Sequence, residues 1–228
     1  MVYSLLIPDP AAIRFLQNIR DCEASSIFEV ELDGERYALK VFHDDGDPGY
    51  TNSGRDLNRF RNERNAYQRL HASGVCDIGL VPKYYGFIDR LDPSSHEPWL
   101  DHFTQDQFHP SAILLEYLVD VEELNCVNYS PERHSRALEA LDQVHNALIL
   151  HNDIYPKNIL IVPGSPERVM LIDFDVAELF PSREAMDQDI VPIENTQGWK
   201  LERGVLEDFG KHLAEDQREG LPPNTKFY

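Results

Sequence analysis

The 228-residue sequence is poor in cysteine, in basic residues and in long apolar runs. Its three cysteines, Cys22, Cys76 and Cys126, are odd in number, widely spaced and form no C-x-x-C pair. That argues against a disulfide framework and a zinc knuckle, and for a reducing, intracellular setting, taken as cytoplasmic with the nucleus left open. Lys and Arg total 21 against 40 Asp and Glu, a formal charge of −19. The basic residues stand singly or in pairs, so the surface should repel nucleic acid and anionic lipid, and neither is expected as a partner. No apolar stretch approaches bilayer length, and MVYSLLIPDP lacks a basic start and meets Pro8 at once, so neither a membrane span nor a secretory signal is expected. What is present is a chain with 42% hydrophobic and 10% aromatic residues, enough to bury a core in one large domain or two small lobes.

Three regions look like loops: 43–55, 89–110 and a tail from about Glu215. The stretch before the first contains alternating runs around Asp33-Gly34, a hairpin signal, and predicts three antiparallel strands. In the third, Lys40 shares a face with Ala38 and Phe42. A helix follows, with Asp56 as its expected cap and Gly74 as its stop. Its stripe of Leu57, Phe60, Tyr67 and Leu70 also takes in Glu63. A lysine and a carboxylate, each on an otherwise apolar face, are both explained if they pair. VPKYYGFI and SAILLEYLVD predict further strands, the second central. Ser130-Pro131 then opens a helix whose stripe includes His145, read as a hydrogen-bonded structural histidine.

The richest stretch is LILHNDIYPKNILIVPGSPERVMLIDFDVA, residues 148–177. Two apolar runs flank PGSPER and predict a hairpin; pairing Val162 with Val169 would set Asn158 opposite Asp173. An amide oxygen and a carboxylate at its open end suit a hard cation such as Mg²⁺. Asp153 precedes them on an irregular connection held extended by Pro156.

YALKVF, Glu63, LLEYL, HNDIYPKN and IDFD occur in an order that resembles the protein-kinase-like superfamily, over nearly the whole chain. The likeness extends to compact fungal-type members, and Asp175 in place of glycine is similar to aminoglycoside and choline phosphotransferases. The resemblance implies an α+β, bilobal protein-kinase-like fold. Its N-lobe, residues 1–115, would hold a five-stranded antiparallel sheet, helix C and loop insertions; 116–120 would be the hinge; 121–228 would form a shortened, mostly helical C-lobe with the catalytic loop and metal motif. It implies ATP and Mg²⁺ as cofactors and transfer of the γ-phosphoryl group to a hydroxyl-bearing protein or small molecule. Lys40, positioned by Glu63, would contact phosphates, and Asn158 and Asp173 would ligate Mg²⁺. Asp153 would orient the acceptor hydroxyl. Ala38 and backbone groups from Glu116 to Leu118 would receive adenine. His151 would brace the loop.

Where such proteins carry a glycine-rich phosphate loop, this chain reads RDCEASSIF, with Ser25 and Ser26 as the remaining phosphate-facing candidates. Asn152 replaces the arginine after histidine. Tyr155 stands where serine/threonine kinases often carry a lysine, with Lys157 as a nearby substitute. The alternative function is therefore a nucleotide-binding or inactive pseudokinase serving as a binding module. DFGKHL, at 208–213, lies within a helical pattern and is read as packing, not as a second metal motif.

Overall fold

The computed structural model describes residues 9–192 and 194–223; the apolar run at 5–7 lies outside them. The chain is a mixture of α-helices and antiparallel sheet, as expected of the α+β class. It divides into two units, residues 1–64 with 83–118, and residues 65–82 with 119–228.

In the first unit β1 (Arg14–Asp21), β2 (Ser25–Leu32) and β3 (Glu35–Phe42) are followed by the start of helix α1 (Arg59–Ala72), then β4 (Tyr84–Ile88) and β5 (Ser111–Glu116). The sheet order is β1-β2-β3-β5-β4, with every neighbouring pair antiparallel. Asp33 and Gly34 both adopt positive φ, 54° and 82°, which is what a two-residue turn matching strand twist requires. One sheet face buries Phe15, Phe28, Val30, Leu39 and Val41. The region at 89–110 is a loop as expected, with two short 3₁₀ turns, Pro93–His96 and Asp101–Gln105, yet it supplies much of this core. Leu91, Leu100 and Phe103 are buried against that face, and Trp99 packs beside them. Sequence polarity concealed this because the apolar residues are spaced by turns and keep no helix or strand period.

Helix α1 begins later than expected. Asn58, not Asp56, caps it, its Oδ1 accepting the Arg61 N–H at 2.8 Å. Asp56 instead accepts the Asn58 N–H at 2.9 Å and pairs with the Arg61 guanidinium. Leu57 precedes the helix and is exposed, while Glu63, Ala66, Tyr67 and Leu70 are buried.

The second unit contains β6 (Glu122–Glu123), α2 (Pro131–Asn146), β7 (Ile149–Leu150), β8 (Ile159–Val162), β9 (Arg168–Leu171), β10 (Glu178–Leu179), α3 (Arg183–Asp187), β11 (Ile190–Val191), β12 (Thr196–Gln197) and α4 (Gly198–Glu219). Ser130 caps α2 through the Arg133 N–H at 3.2 Å, with Pro131 in the first turn. The tail expected from Glu215 is helical as far as Glu219, because its polar residues form the wet side of a helix that buries Leu206, Gly210 and Leu213. Gly220, at φ 70°, ends it.

The β8–β9 hairpin also shifts by one residue from expectation. Val162 pairs with Arg168 and Ile159 with Leu171, so Asn158 faces Ile172 rather than Asp173. Arg168 joins the ladder instead of the loop, shortening the connection. Asp173 leaves strand geometry altogether, at φ 68°.

Candidate active site

Alternation along β3 sets the first group of candidates. Lys40 pairs across the sheet with Ile27 and Ile113, and Ala38 with Glu29 and Leu115, so Ala38, Lys40 and Phe42 share one face. Lys40 Nζ lies 2.5 Å from Glu63 Oε2, and both side chains are buried. Helical spacing puts Glu63 on the stripe of Tyr67 and Leu70, and so delivers the carboxylate to the lysine. Two charges removed from water contribute little net stability, but removing one partner leaves a costly orphan. The pair is therefore better explained as a held ammonium group than as a fold stabiliser.

Ser25 pairs with Phe42 and lies on the Lys40 face. Ser26 pairs with Val41 on the opposite face, with Oγ 3.0 Å from His102 Nε2. The structure thus separates Ser26 from the expected phosphate contacts. The intervening turn at 22–24 is short, closed by the Cys22 N–H to the Ser25 carbonyl at 2.9 Å. At the end of β5 the Glu116 N–H is already committed to the Lys83 carbonyl at 2.9 Å, and the Glu116 carboxylate accepts the Lys83 N–H at 3.2 Å. Leu118, half-buried, lies beyond the strand.

The second unit holds the other candidates. After β7 the chain runs irregularly to a single 3₁₀ turn, Pro156–Asn158. There the buried Asn158 donates from Nδ2 to the Asp153 carbonyl and to Asp153 Oδ2, both at 2.8 Å. Lys157 Nζ lies 3.2 Å from the same Oδ2. One carboxylate oxygen of Asp153 is held twice, and the side chain stays partly open to solvent. Ile172 N–H donates to the Asn158 carbonyl at 3.0 Å, placing Asp173 one residue beyond the last paired position.

This donor set fits a hard divalent cation in kind. Both amide hydrogens of Asn158 are used on Asp153, which turns its oxygen into the available ligand atom, and Asp173 would add a carboxylate. Among the described residues no three His, Cys, Asp or Glu side chains gather as a metal site, so much of the ion's shell would come from water or phosphate.

His151 is fully buried, 2.9 Å through Nε2 from the Ile172 carbonyl, and its ring lies 4.6 Å from that of Phe174. It braces the loop. Glu202 on α4 was missed by sequence reasoning. Its Oε1 accepts the Asn152 N–H at 2.7 Å and its Oε2 the His151 N–H at 3.2 Å, while Oε2 also lies 2.7 Å from His145 Nε2. Burial pushes this carboxyl's pKa up, but the His145 hydrogen bond, the charge of His151 and His145 and the Asn152 N–H outweigh it, and the net shift is down. The signal was available: Glu202 falls four residues before Leu206, on the stripe that continues to Leu213.

Residues 104–199 match the lipopolysaccharide kinase (Kdo/WaaP) family. This is a protein-kinase-like family. The matched stretch contains Glu116, Leu118, Asp153, Asn158 and Asp173, whereas Lys40 and Glu63 lie before it. A comparison with curated proteins finds no match. The family match supports a kinase-type phosphotransferase.

Proposed function

We propose that the protein is an ATP- and Mg²⁺-dependent phosphotransferase of bilobal kinase type, acting on a hydroxyl of a protein or a small molecule. The observation that carries the reading is the treatment of Asp153: Asn158 and Lys157 both hold Oδ2, leaving Oδ1 to accept a hydrogen bond. In this reading Asp153 orients the acceptor hydroxyl and takes up its proton. Lys157 offsets part of the carboxylate charge and fixes its rotation. Lys40 binds phosphate oxygens, and Glu63 holds the ammonium in place for them. Asn158 and Asp173 would hold Mg²⁺, which would neutralise charge developing on the phosphates. Ala38 and Ser25 lie on the lysine face and would line the nucleotide, with Leu118 offering backbone groups to the adenine edge.

A second reading has its own support. The turn at 22–24 carries no glycine, Ser26 points away from Lys40, and the Lys40 face also carries Glu29, buried and 2.8 Å from Arg36. These features favour a pseudokinase with weakened phosphate binding.

Thermal denaturation with ATP, with and without Mg²⁺, tests the nucleotide site on which the enzymatic reading depends. A kinase gives a rise in Tm that needs Mg²⁺ and falls sharply in Asp173→Ala. No rise at millimolar ATP removes the enzymatic reading.

A further inference from the structure

The sheet face opposite Lys40 has an open cavity of about 460 Å³, lined by Asn18, Asp21, Phe28, Pro98, Trp99 and His102. That volume lies within the range of small-molecule sites. It belongs wholly to the first unit, and none of its lining residues has a role in the proposed chemistry.

The polar groups of this cavity share one direction. Asn18 Nδ2 donates to both oxygens of Asp21, at 2.9 and 3.1 Å. Ser26 also donates to Asp21, which leaves a lone pair of its oxygen for His102 Nε2 at 3.0 Å. The Asn18 bond first, and the Ser26 bond second, hold the Asp21 carboxyl below its ordinary range, so the wall is anionic at neutral pH. The two leading donors are an amide and a hydroxyl, which stabilise the charge without cancelling it; His102, on the same wall, adds a smaller electrostatic pull in the same direction. Two aromatic rings, Trp99 and Phe28, line the same cavity, with centroids 6.5 Å apart at 86°. Trp99 also stacks on Phe15 at 6.0 Å, which fixes the indole plane. A carboxylate and a fixed indole lining one cavity, in a protein of net charge −19, attract a cation with an apolar shell.

We propose that this cavity is a binding site for a small organic ammonium ion, with Asp21 as counter-ion and Trp99 as the aromatic wall. Selectivity would come from that combination: a hard metal cation gains nothing from the indole, and a neutral molecule gains nothing from the carboxylate.

The test uses the full chain and tetramethylammonium chloride as probe. The sequence has two tryptophans, Trp99 and Trp199, so the ¹H–¹⁵N spectrum carries two indole signals, and Trp99→Phe assigns them. The expected result is a saturable shift of the Trp99 signal with a Kd of about 1 mM, in line with a five-atom ligand. The Trp199 signal stays in place. Sodium chloride at equal ionic strength and tert-butanol, a neutral molecule of similar shape, leave both signals unmoved. Asp21→Asn, an isosteric change at an exposed side chain, weakens binding about tenfold or more. No shift, an equal shift of both indoles, or undiminished binding in Asp21→Asn overturns the proposal.

Discussion

Two buried carboxylates, one in each unit, have the same origin in sequence and opposite duties. Glu63 and Glu202 both sit on the apolar stripe of a helix, and both are nearly inaccessible. Glu63 meets the ammonium group of Lys40, and the pair is buried. Glu202 meets two backbone N–H groups and a histidine, and so ties the loop before Asp153 to α4. The first arrangement fixes an ammonium group; the second holds chain. The contrast teaches that a carboxylate in a core-facing stripe is an anchor, and that its partner decides whether it anchors a charged side chain or backbone.

The comparison breaks most visibly at Glu202. Glu202→Leu removes the acceptor for two N–H groups and strands His145, and should cost about 3–5 kcal/mol, read as a lower urea midpoint with unchanged m. Lys40→Met should cost about 3 kcal/mol, because Glu63 is left buried without its cation. Adding Glu63→Leu should return stability to near the starting value, as apolar replacement of a whole buried pair often does, while phosphoryl transfer stays lost. A Glu202→Leu variant has no such rescue, since backbone donors cannot be deleted.

Gly210→Ala gives a smaller effect of unusual sign. Alanine is the better helix former, yet a Cβ here runs into the His134 ring, whose Nε2 bonds the Leu206 carbonyl at 2.9 Å. A loss of about 1–3 kcal/mol is expected, measured by the same denaturation.

The pH dependence sharpens the contrast further. The Glu202 carboxyl is depressed in the folded state below its ordinary value of 4.5. Its contribution is therefore complete above about pH 4.5 and is lost as pH falls through the lower folded value. Stability measured from about pH 5 to about pH 3 should fall more steeply in the native sequence than in Glu202→Gln. Smallest of all in stability is Lys157→Ala, below about 1 kcal/mol for a half-exposed pair. Its transfer rate should nevertheless drop about tenfold, because the lysine fixes the rotation of Asp153.

Period made the first unit largely legible. Alternation in YALKVF gave the Lys40 face, Asp33-Gly34 gave the hairpin, and the helical stripe gave Glu63. The burial of 89–110 was not legible, since its core residues follow turn geometry with no repeat. The hairpin register failed at Arg168, where a charged residue pairs in the ladder although polarity argues for the loop. Asp173 could not be placed by register, because its backbone is left-handed and no ladder extends through it. Ser26 could have been placed: it is one residue from Ser25, and strand parity alone puts it on the other face. Glu202 could have been placed on the stripe of Leu206 and Leu213, but two of its three partners are backbone N–H groups, which carry no sequence mark.

The central claim is that Asp153 serves phosphoryl transfer, and the direct measurement is transfer of labelled γ-phosphate from ATP, with Mg²⁺, to a panel of protein and small-molecule hydroxyl acceptors. Label incorporation is expected, abolished by chelation with EDTA and reduced roughly a thousandfold in Asp153→Asn, with the nucleotide-dependent rise in Tm retained. Transfer undiminished in Asp153→Asn, or nucleotide binding without transfer to any acceptor in the native sequence, would contradict it.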